Sequence, residues 1–191
     1  NTGYIGRALS PTPAEEIGLS LTNVSKFAPH DNGCWAIKTD GTLWWCGSIS
    51  QYANSADTGQ GSNYSGANQW KQFGTDTDWI DIDCFVAFPT VSLAIKGAAG
   101  SEYLYSSGSN YFGKTGVGTT SGSTRPWTRV KSAASTDWAE TLDKISAGYG
   151  ACMAVTKSGK LFAWGDAQEG HLGQGNTTDS SYPIQVGTDT D

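Results

Sequence analysis

The sequence predicts an all-β fold made of β-propeller-type repeats. Its 25 Gly and 8 Trp, with a single Met, describe short strands joined by tight turns. A hairpin motif recurs three times along the chain, and a glycine-rich turn follows it. We therefore expect three blade-like units that form part of a larger propeller, after an irregular N-terminal leader.

The hairpin motif is the anchor of the repeat. Its first copy, Cys34–Gly47, and its third, Cys152–Gly165, match without a gap. Each has an alternating strand, a turn at Asp40-Gly41 or Ser158-Gly159, and a second strand. The second copy, Ser92–Gly108, is looser because its turn is longer. These matches divide the chain into a leader (1–22) and three repeat units (23–79, 80–138 and 139–191).

A short recurring sequence separates the units. Gly74–Asp78 recurs letter for letter as Gly187–Asp191, and Trp79 follows only the first copy. We expect the third unit to be truncated, and the three units to form an open arc. Further chain or a neighbouring subunit is then expected beside the third unit.

The third unit resembles the regulator-of-chromosome-condensation repeat family. It carries Ile145–Gly148, Ala163–Gly165 and Gly170–Gly175 in the order of that family, and the resemblance extends over 24–191. The resemblance implies a seven-bladed propeller that binds proteins. No residue here matches the family's nuclear exchange-factor activity.

The leader gives a different indication. Gly3–Arg7, with the Pro-punctuated stretch after it, resembles the opening of many bacteriophage tail and virion surface proteins. We therefore predict a virion protein of the tail, fibre or capsid surface, which contacts other virion subunits or a host-surface receptor. The alternative is an extracellular or bacterial cell-surface binding propeller, similar to the β-lactamase-inhibiting member of this fold.

Charge and composition exclude other classes. The net charge of −6 provides no basic stripe for nucleic acid, and no apolar run is long enough for a membrane helix. Only two His are present, without a metal-ligand pattern. We predict no catalytic residue, cofactor or metal, and hence no enzyme.

Two motifs leave an enzyme as a further alternative. Gly108–Thr115 satisfies the phosphate-binding loop pattern, but turn formers rather than a helix follow it, so we expect a strand and a loop. In the second motif, Asp76–Asp83, alternation places Asp81 and Asp83 toward solvent with Ile80 and Ile82 inward. A calcium site or a carboxylate pair is the alternative reading.

Cysteine and aromatic positions complete the reading. Cys34 and Cys152 occupy one repeat position, which indicates a small buried residue there, and we favour thiols over a Cys34–Cys46 disulfide. Tryptophans inside the repeat are core candidates. Aromatics in the variable connections are predicted partner contacts: Tyr52, Tyr64, Tyr111, Phe112 and Trp127.

Overall fold

The protein consists of antiparallel β-sheets. A computed structural model describes residues 20–30, 33–47, 67–85, 91–133 and 136–187. Within these ranges there are three four-stranded sheets, one two-stranded sheet and two 3-10 turns, without an α-helix. The predicted all-β, propeller-type fold is therefore confirmed. No helix in the described ranges is long and apolar enough to cross a membrane.

Each four-stranded sheet is a meander whose strands pair in chain order. The first sheet contains β1 (Val24–His30), β2 (Gly33–Lys38), β3 (Leu43–Gly47) and β4 (Ala67–Phe73). The second contains β5 (Trp79–Cys84), β6 (Val91–Ala98), β7 (Ser101–Ser109) and β8 (Ser123–Arg129). The pair β9 (Lys131–Ala133) and β10 (Thr136–Asp137) follows. The third contains β11 (Leu142–Ala147), β12 (Ala151–Thr156), β13 (Leu161–Gly165) and β14 (Ser180–Gln185).

The predicted hairpin turns lie where the sequence places them. Gly41 N donates to Lys38 O at 2.9 Å, and Gly159 N donates to Thr156 O at 3.0 Å. Both glycines have positive φ, 76° and 84°, which explains their position after Asp40 and Ser158. In the second sheet the strands pair as far as Ala98 and Ser101. The strands of that hairpin are therefore longer and its turn is short, so the longer turn expected from the sequence was wrong.

The repeat extends to the backbone of the glycine turns. Phe112 and Glu169 both have left-handed backbones, with φ of 61° and 58°. Each lies in a 3-10 turn, Tyr111–Gly113 or Gln168–Gly170. The second and third units thus share a conformation that L-residues seldom adopt, although their side chains differ.

The sheets pack side by side through two apolar cores. One core joins the first and second sheets and includes Trp35, Trp79 and Ile82. The other joins the second and third and includes Leu93, Trp138 and Trp164. Strands β1, β5 and β11 contact one another in series and are the inner strands. We call the side of each sheet that faces the next one along the chain its trailing face, and the opposite side its leading face.

Strand β5 departs from the predicted alternation. A register shift between Trp79 and Asp81 marks a bulge opposite β6. Ile82 is buried as predicted, but Ile80 is 41% exposed, so its inward placement was wrong. The bulge adds one residue and reverses the side to which Ile80 points. The second sheet also begins at Trp79, one residue before the predicted start of its unit.

Candidate functional site

Exposed aromatic side chains gather at one end of the sheets. In a meander, the first and third connections lie at the same end, which we call the connection end. Tyr111 and Phe112 lie in the β7–β8 connection, and Tyr111 is 52% exposed. Tyr149 lies in the β11–β12 connection and is 61% exposed. Its ring packs edge-on against Phe85, with centroids 5.8 Å apart.

The predicted contact residues separate into three groups. Tyr111 and Phe112 lie at the connection end. Trp127 does not lie at the surface: it is 8% exposed and packs edge-on against Trp35 and Trp79 in the first core. It belongs to β8 rather than to a connection, so its proposed contact role is replaced by a packing role. Tyr52 and Tyr64 lie outside the described residues.

The phosphate-loop pattern is structural here. Gly108 lies in β7, one residue before the strand ends, and a 3-10 turn rather than an α-helix N-terminus follows the strand, as predicted. The Lys114 side chain is fully buried, and its Nζ donates to Tyr149 O at 2.9 Å. Burial lowers the pKa of Lys114 to about 8. The residue that would contact phosphate thus joins the second sheet to the third.

Thr115 also has a structural role. Its backbone N and its Oγ1 donate to Asn110 Oδ1 at 3.1 and 2.6 Å, and its carbonyl accepts from Ser106 Oγ at 2.6 Å. Asn110 Nδ2 in turn donates to Thr119 O at 2.9 Å. This network closes the β7–β8 connection. The Lys-Thr pair is therefore a structural element rather than a chance match.

The acidic motif ties neighbouring sheets together. Asp81 pairs with Lys26 Nζ at 3.2 Å, which joins β5 to β1. Asp83 Oδ2 accepts from Ala147 N at 2.8 Å, which joins β5 to β11. Both carboxylates are half-buried rather than turned to solvent. The described residues contain no group of three or more His, Cys, Asp or Glu suited to a metal ion.

A charged aromatic cluster, which no motif indicated, lies at the junction of the first two sheets. Lys96 Nζ donates to Asp76 Oδ2 at 2.8 Å and lies 5.3 and 5.6 Å from the ring centroids of Trp79 and Tyr105. These residues border a cavity of about 220 Å³. Because Asp76 neutralises the lysine, the cluster stabilises the junction. Lys96 and Tyr105 come from β6 and β7 and Asp76 from the connection before β5, so no local pattern could reveal the cluster.

The cysteines are buried thiols. Cys34 and Cys46 face each other across β2 and β3, but no disulfide joins them among the described residues. Burial raises the pKa of Cys34 to about 11 and that of Cys152 to about 12. Such thiols are poor nucleophiles. The repeat position that they share is buried in all three sheets, with Ser92 in the second.

Family comparison identifies the repeat. Two models described as the regulator of chromosome condensation (RCC1) repeat match residues 143–170 and 158–191. The resemblance that the third unit showed to this repeat is therefore confirmed.

Relatives extend the similarity to the rest of the chain. The human X-linked retinitis pigmentosa GTPase regulator is 28% identical over 178 residues, which cover 85% of this chain and 16% of that protein. The Arabidopsis thaliana ultraviolet-B receptor UVR8 is 42% identical over 45 residues, 24% of this chain and 10% of the receptor. This chain thus spans a small part of the length of either relative.

Solved structures show the same fold. Saccharomyces cerevisiae Prp20p matches with a TM-score of 0.64 and 17% identity, over 88% of this chain and 39% of its own. Human WBSCR16 matches with a TM-score of 0.58 and 18% identity, over 94% of this chain and 43% of its own. The sheets described above thus correspond to part of a larger propeller.

Proposed function

We propose that this chain is a non-enzymatic protein-interaction module whose connection end forms the contact surface. The structural relatives support a binding role, since the Prp20p structure was reported with binding properties to Gsp1p and histones. The lysine of the phosphate-loop pattern, Lys114, donates instead to a backbone carbonyl at the junction of the second and third sheets. One of the two sequence arguments for an enzyme is thereby removed.

The observation that carries the proposal is the contrast between two equivalent turns. Tyr111 and Phe112 occupy the positions that Gln168 and Glu169 occupy in the third unit, with the same left-handed backbone. The repeat therefore does not require aromatic side chains there. A left-handed bulky residue carries a cost of roughly 1–2 kcal/mol, and exposed aromatic residues are enriched where proteins bind partners.

We further propose that the module belongs to a phage virion, as a tail, fibre or capsid-surface component that contacts other virion subunits or a host receptor. The leader sequence Gly3–Arg7 and the acidic, Gly-rich composition support this assignment. The second candidate is a bacterial surface or secreted binding propeller. Mass spectrometry of purified virus particles distinguishes the two candidates. A virion component is present in a fixed copy number per particle, whereas a secreted propeller is absent from the particles.

The contact surface is tested by exchanging the turn residues between units. The Y111Q/F112E variant receives the side chains of the third unit, so its backbone should be retained. We expect at least about a tenfold loss of binding of the labelled chain to intact particles or host cells, the size expected for losing two aromatic contacts.

Phe27→Gln is the matched control, because Phe27 is an aromatic residue that is 71% exposed on strand β1. It should bind as the wild type does. Equal binding by Y111Q/F112E and the wild type would refute the connection end as the contact surface. Equal losses in both variants would show general surface hydrophobicity instead.

A further inference from the structure

An aromatic cavity lies between the trailing face of the first sheet and the leading face of the second. Four aromatic and two charged residues border it: Phe73, Trp79, Tyr105, Trp127, Lys96 and Asp76. The β4–β5 connection, which carries Asp76, lies at the end of the sheets opposite the connection end. The cavity volume of about 220 Å³ is below the ~300–1,000 Å³ of pockets for drug-sized ligands, so it suits a molecule of about one ring.

The repeat does not require this lining. In the third sheet, Thr156 and Phe162 occupy the positions of Lys96 and Tyr105 in the second. The second junction therefore lacks both the ammonium and the phenol hydroxyl. The ring of Trp138 packs against Phe162 there, with ring centroids 4.9 Å apart. The charged cavity is thus a departure from the repeat at the first junction.

The polar groups of the cavity suit a ligand that carries hydroxyl groups. Lys96 Nζ lies 2.8 Å from Asp76 Oδ2 and 3.6 Å from Asp78 Oδ1. An ammonium has three donor hydrogens and a carboxylate accepts several hydrogen bonds, so each can bind a hydroxyl group in addition to its partner. Trp79 and Trp127 are buried, and their indole N–H groups have no acceptor among the described residues. A ligand with hydroxyl oxygens can supply the acceptors that the protein lacks.

Charge decides between the classes of ligand. Lys96 Nζ lies 5.3 and 5.6 Å from the ring centroids of Trp79 and Tyr105, so a cationic ligand would compete with the protein's own ammonium for these rings. Two carboxylates surround this one ammonium, and the excess negative charge disfavours an anionic ligand. A wholly apolar ligand would leave the polar groups without partners. A neutral molecule with an apolar face and several hydroxyl groups meets all these conditions.

We propose that this cavity binds a neutral pyranose sugar. Its C–H face packs against the aromatic rings, and its hydroxyl groups bind Asp76, Lys96 and the indole N–H groups. The sugar site goes beyond the protein-contact function and does not rest on it, because it lies at the opposite end of the sheets from Tyr111 and Phe112. Loss of one site should leave the other intact.

The test is a titration of the ¹⁵N-labelled 191-residue chain, followed by the NMR signals of the indole N–H groups. The probes are the methyl pyranosides of glucose, galactose and mannose, and Trp79→Phe and Trp127→Phe assign the two relevant signals. We expect at least one pyranoside to shift both signals with a Kd on the order of 1 mM, the scale for about a dozen non-hydrogen atoms. The signal of Trp138, at the second junction, should not move.

Lys96→Thr installs the residue that the third sheet has at this position, so the fold should be retained. We expect it to bind the pyranoside at least about tenfold more weakly, since a hydrogen bond to a charged group is lost. Lys38→Thr is the matched control. Lys38 also pairs with an aspartate, Asp40, and lies 5.3 Å from the centroid of the Trp44 ring, but it does not border the cavity. This control should bind as the wild type does.

Three results would overturn the proposal. None of the pyranosides shifts the Trp79 and Trp127 signals, or Lys96→Thr binds as tightly as the wild type, which would place the sugar elsewhere. In the third, tetramethylammonium or methyl glucuronide shifts the same signals at lower concentrations than the neutral pyranosides do. That outcome would assign the cavity to a cation or to an anion instead.

Discussion

Replacing Lys114 with Met should remove a specific pH dependence of stability. The Lys114 side chain is fully buried between the second and third sheets, with its Nζ on the Tyr149 carbonyl. Burial lowers its pKa from 10.5 to about 8, and the neighbouring Cys152 and Asp166 counteract this only in part. The protonated lysine is therefore tolerated at a cost in the folded protein.

The direction of the effect follows from the two pKa values. Between pH 8 and pH 10.5 the unfolded chain keeps the proton on this lysine and the folded chain releases it. Stability rises with pH wherever the unfolded state binds more protons. The Lys114 contribution should therefore increase the free energy of unfolding across this window, and it should be absent from the Met variant.

The size of the effect is set by the same interval. One pH unit corresponds to about 1.4 kcal/mol for a group that is protonated in one state only, so the window is worth roughly 3 kcal/mol at most. At pH 7 the variant gains by losing a buried charge but leaves the Tyr149 carbonyl without this donor, which costs about 1–3 kcal/mol. Whatever that cost is, the free energy of unfolding of the wild type should rise relative to that of the variant by roughly 3 kcal/mol between pH 7 and pH 10.5.

The assay is urea unfolding, followed by tryptophan fluorescence, at a series of pH values from 7 to 10.5. Lys96→Met is the control: burial lowers the pKa of Lys96, but Asp76, Asp78 and Tyr105 together raise it more, so the net shift is upward. Its contribution is constant below pH 10.5 and is lost only above, so Lys96→Met should keep the pH slope of the wild type within this window. Parallel curves for Lys114→Met and the wild type would show that the Lys114 ammonium is hydrated, and would refute this reasoning.

Two further predictions concern His30 and the hairpin tip. Burial lowers the pKa of His30 from 6.5 to about 4, so the unfolded chain binds the extra proton between these values. The melting temperature of the wild type should therefore fall as the pH drops through this range, and that of His30→Gln should fall less. Equal falls in the two proteins would contradict the burial of His30. At the hairpin tip, Gly41→Ala should destabilise more than Gly74→Ala in urea unfolding. Both glycines have positive φ, but a Cβ at Gly41 would collide with the Thr77 carbonyl and one at Gly74 meets nothing within 4 Å; the strain alone costs about 1 kcal/mol. Equal losses would show that the tip does not contact Thr77.

The features that the sequence predicts well are those with local causes. Asp40-Gly41 and Ser158-Gly159 specify turns because a glycine after a short polar residue accepts a left-handed backbone. Alternation then places the repeat tryptophans in the core, where Trp35 and Trp164 are 0% exposed. Strand type, turn position and repeat spacing depend on few residues, so they can be predicted without the neighbouring sheet.

The features that escape prediction depend on a neighbouring strand or sheet. Ile80 is exposed because β5 carries a bulge opposite β6, which strict alternation along β5 does not predict. Trp127 is buried because a preceding sheet packs over it. Lys114 matches a phosphate-loop pattern, but the carbonyl that it contacts is 35 residues away. In each case the local pattern lacks the contact that decides where the side chain lies.

The contrast between Lys114-Thr115 and His171-Leu172 shows how repeats with one backbone acquire different roles. Both pairs follow the same left-handed turn, so the backbone does not select the side chains. Lys114 and Thr115 are both 0% exposed, in contact with the third sheet and with Asn110, respectively. In the third unit Leu172 is buried within its own sheet, in a small core with Ala163, and His171 is exposed. The side chains of this turn therefore depend on what packs beside each sheet. Substitutions there should weaken the junction between sheets before they weaken the sheet that carries them.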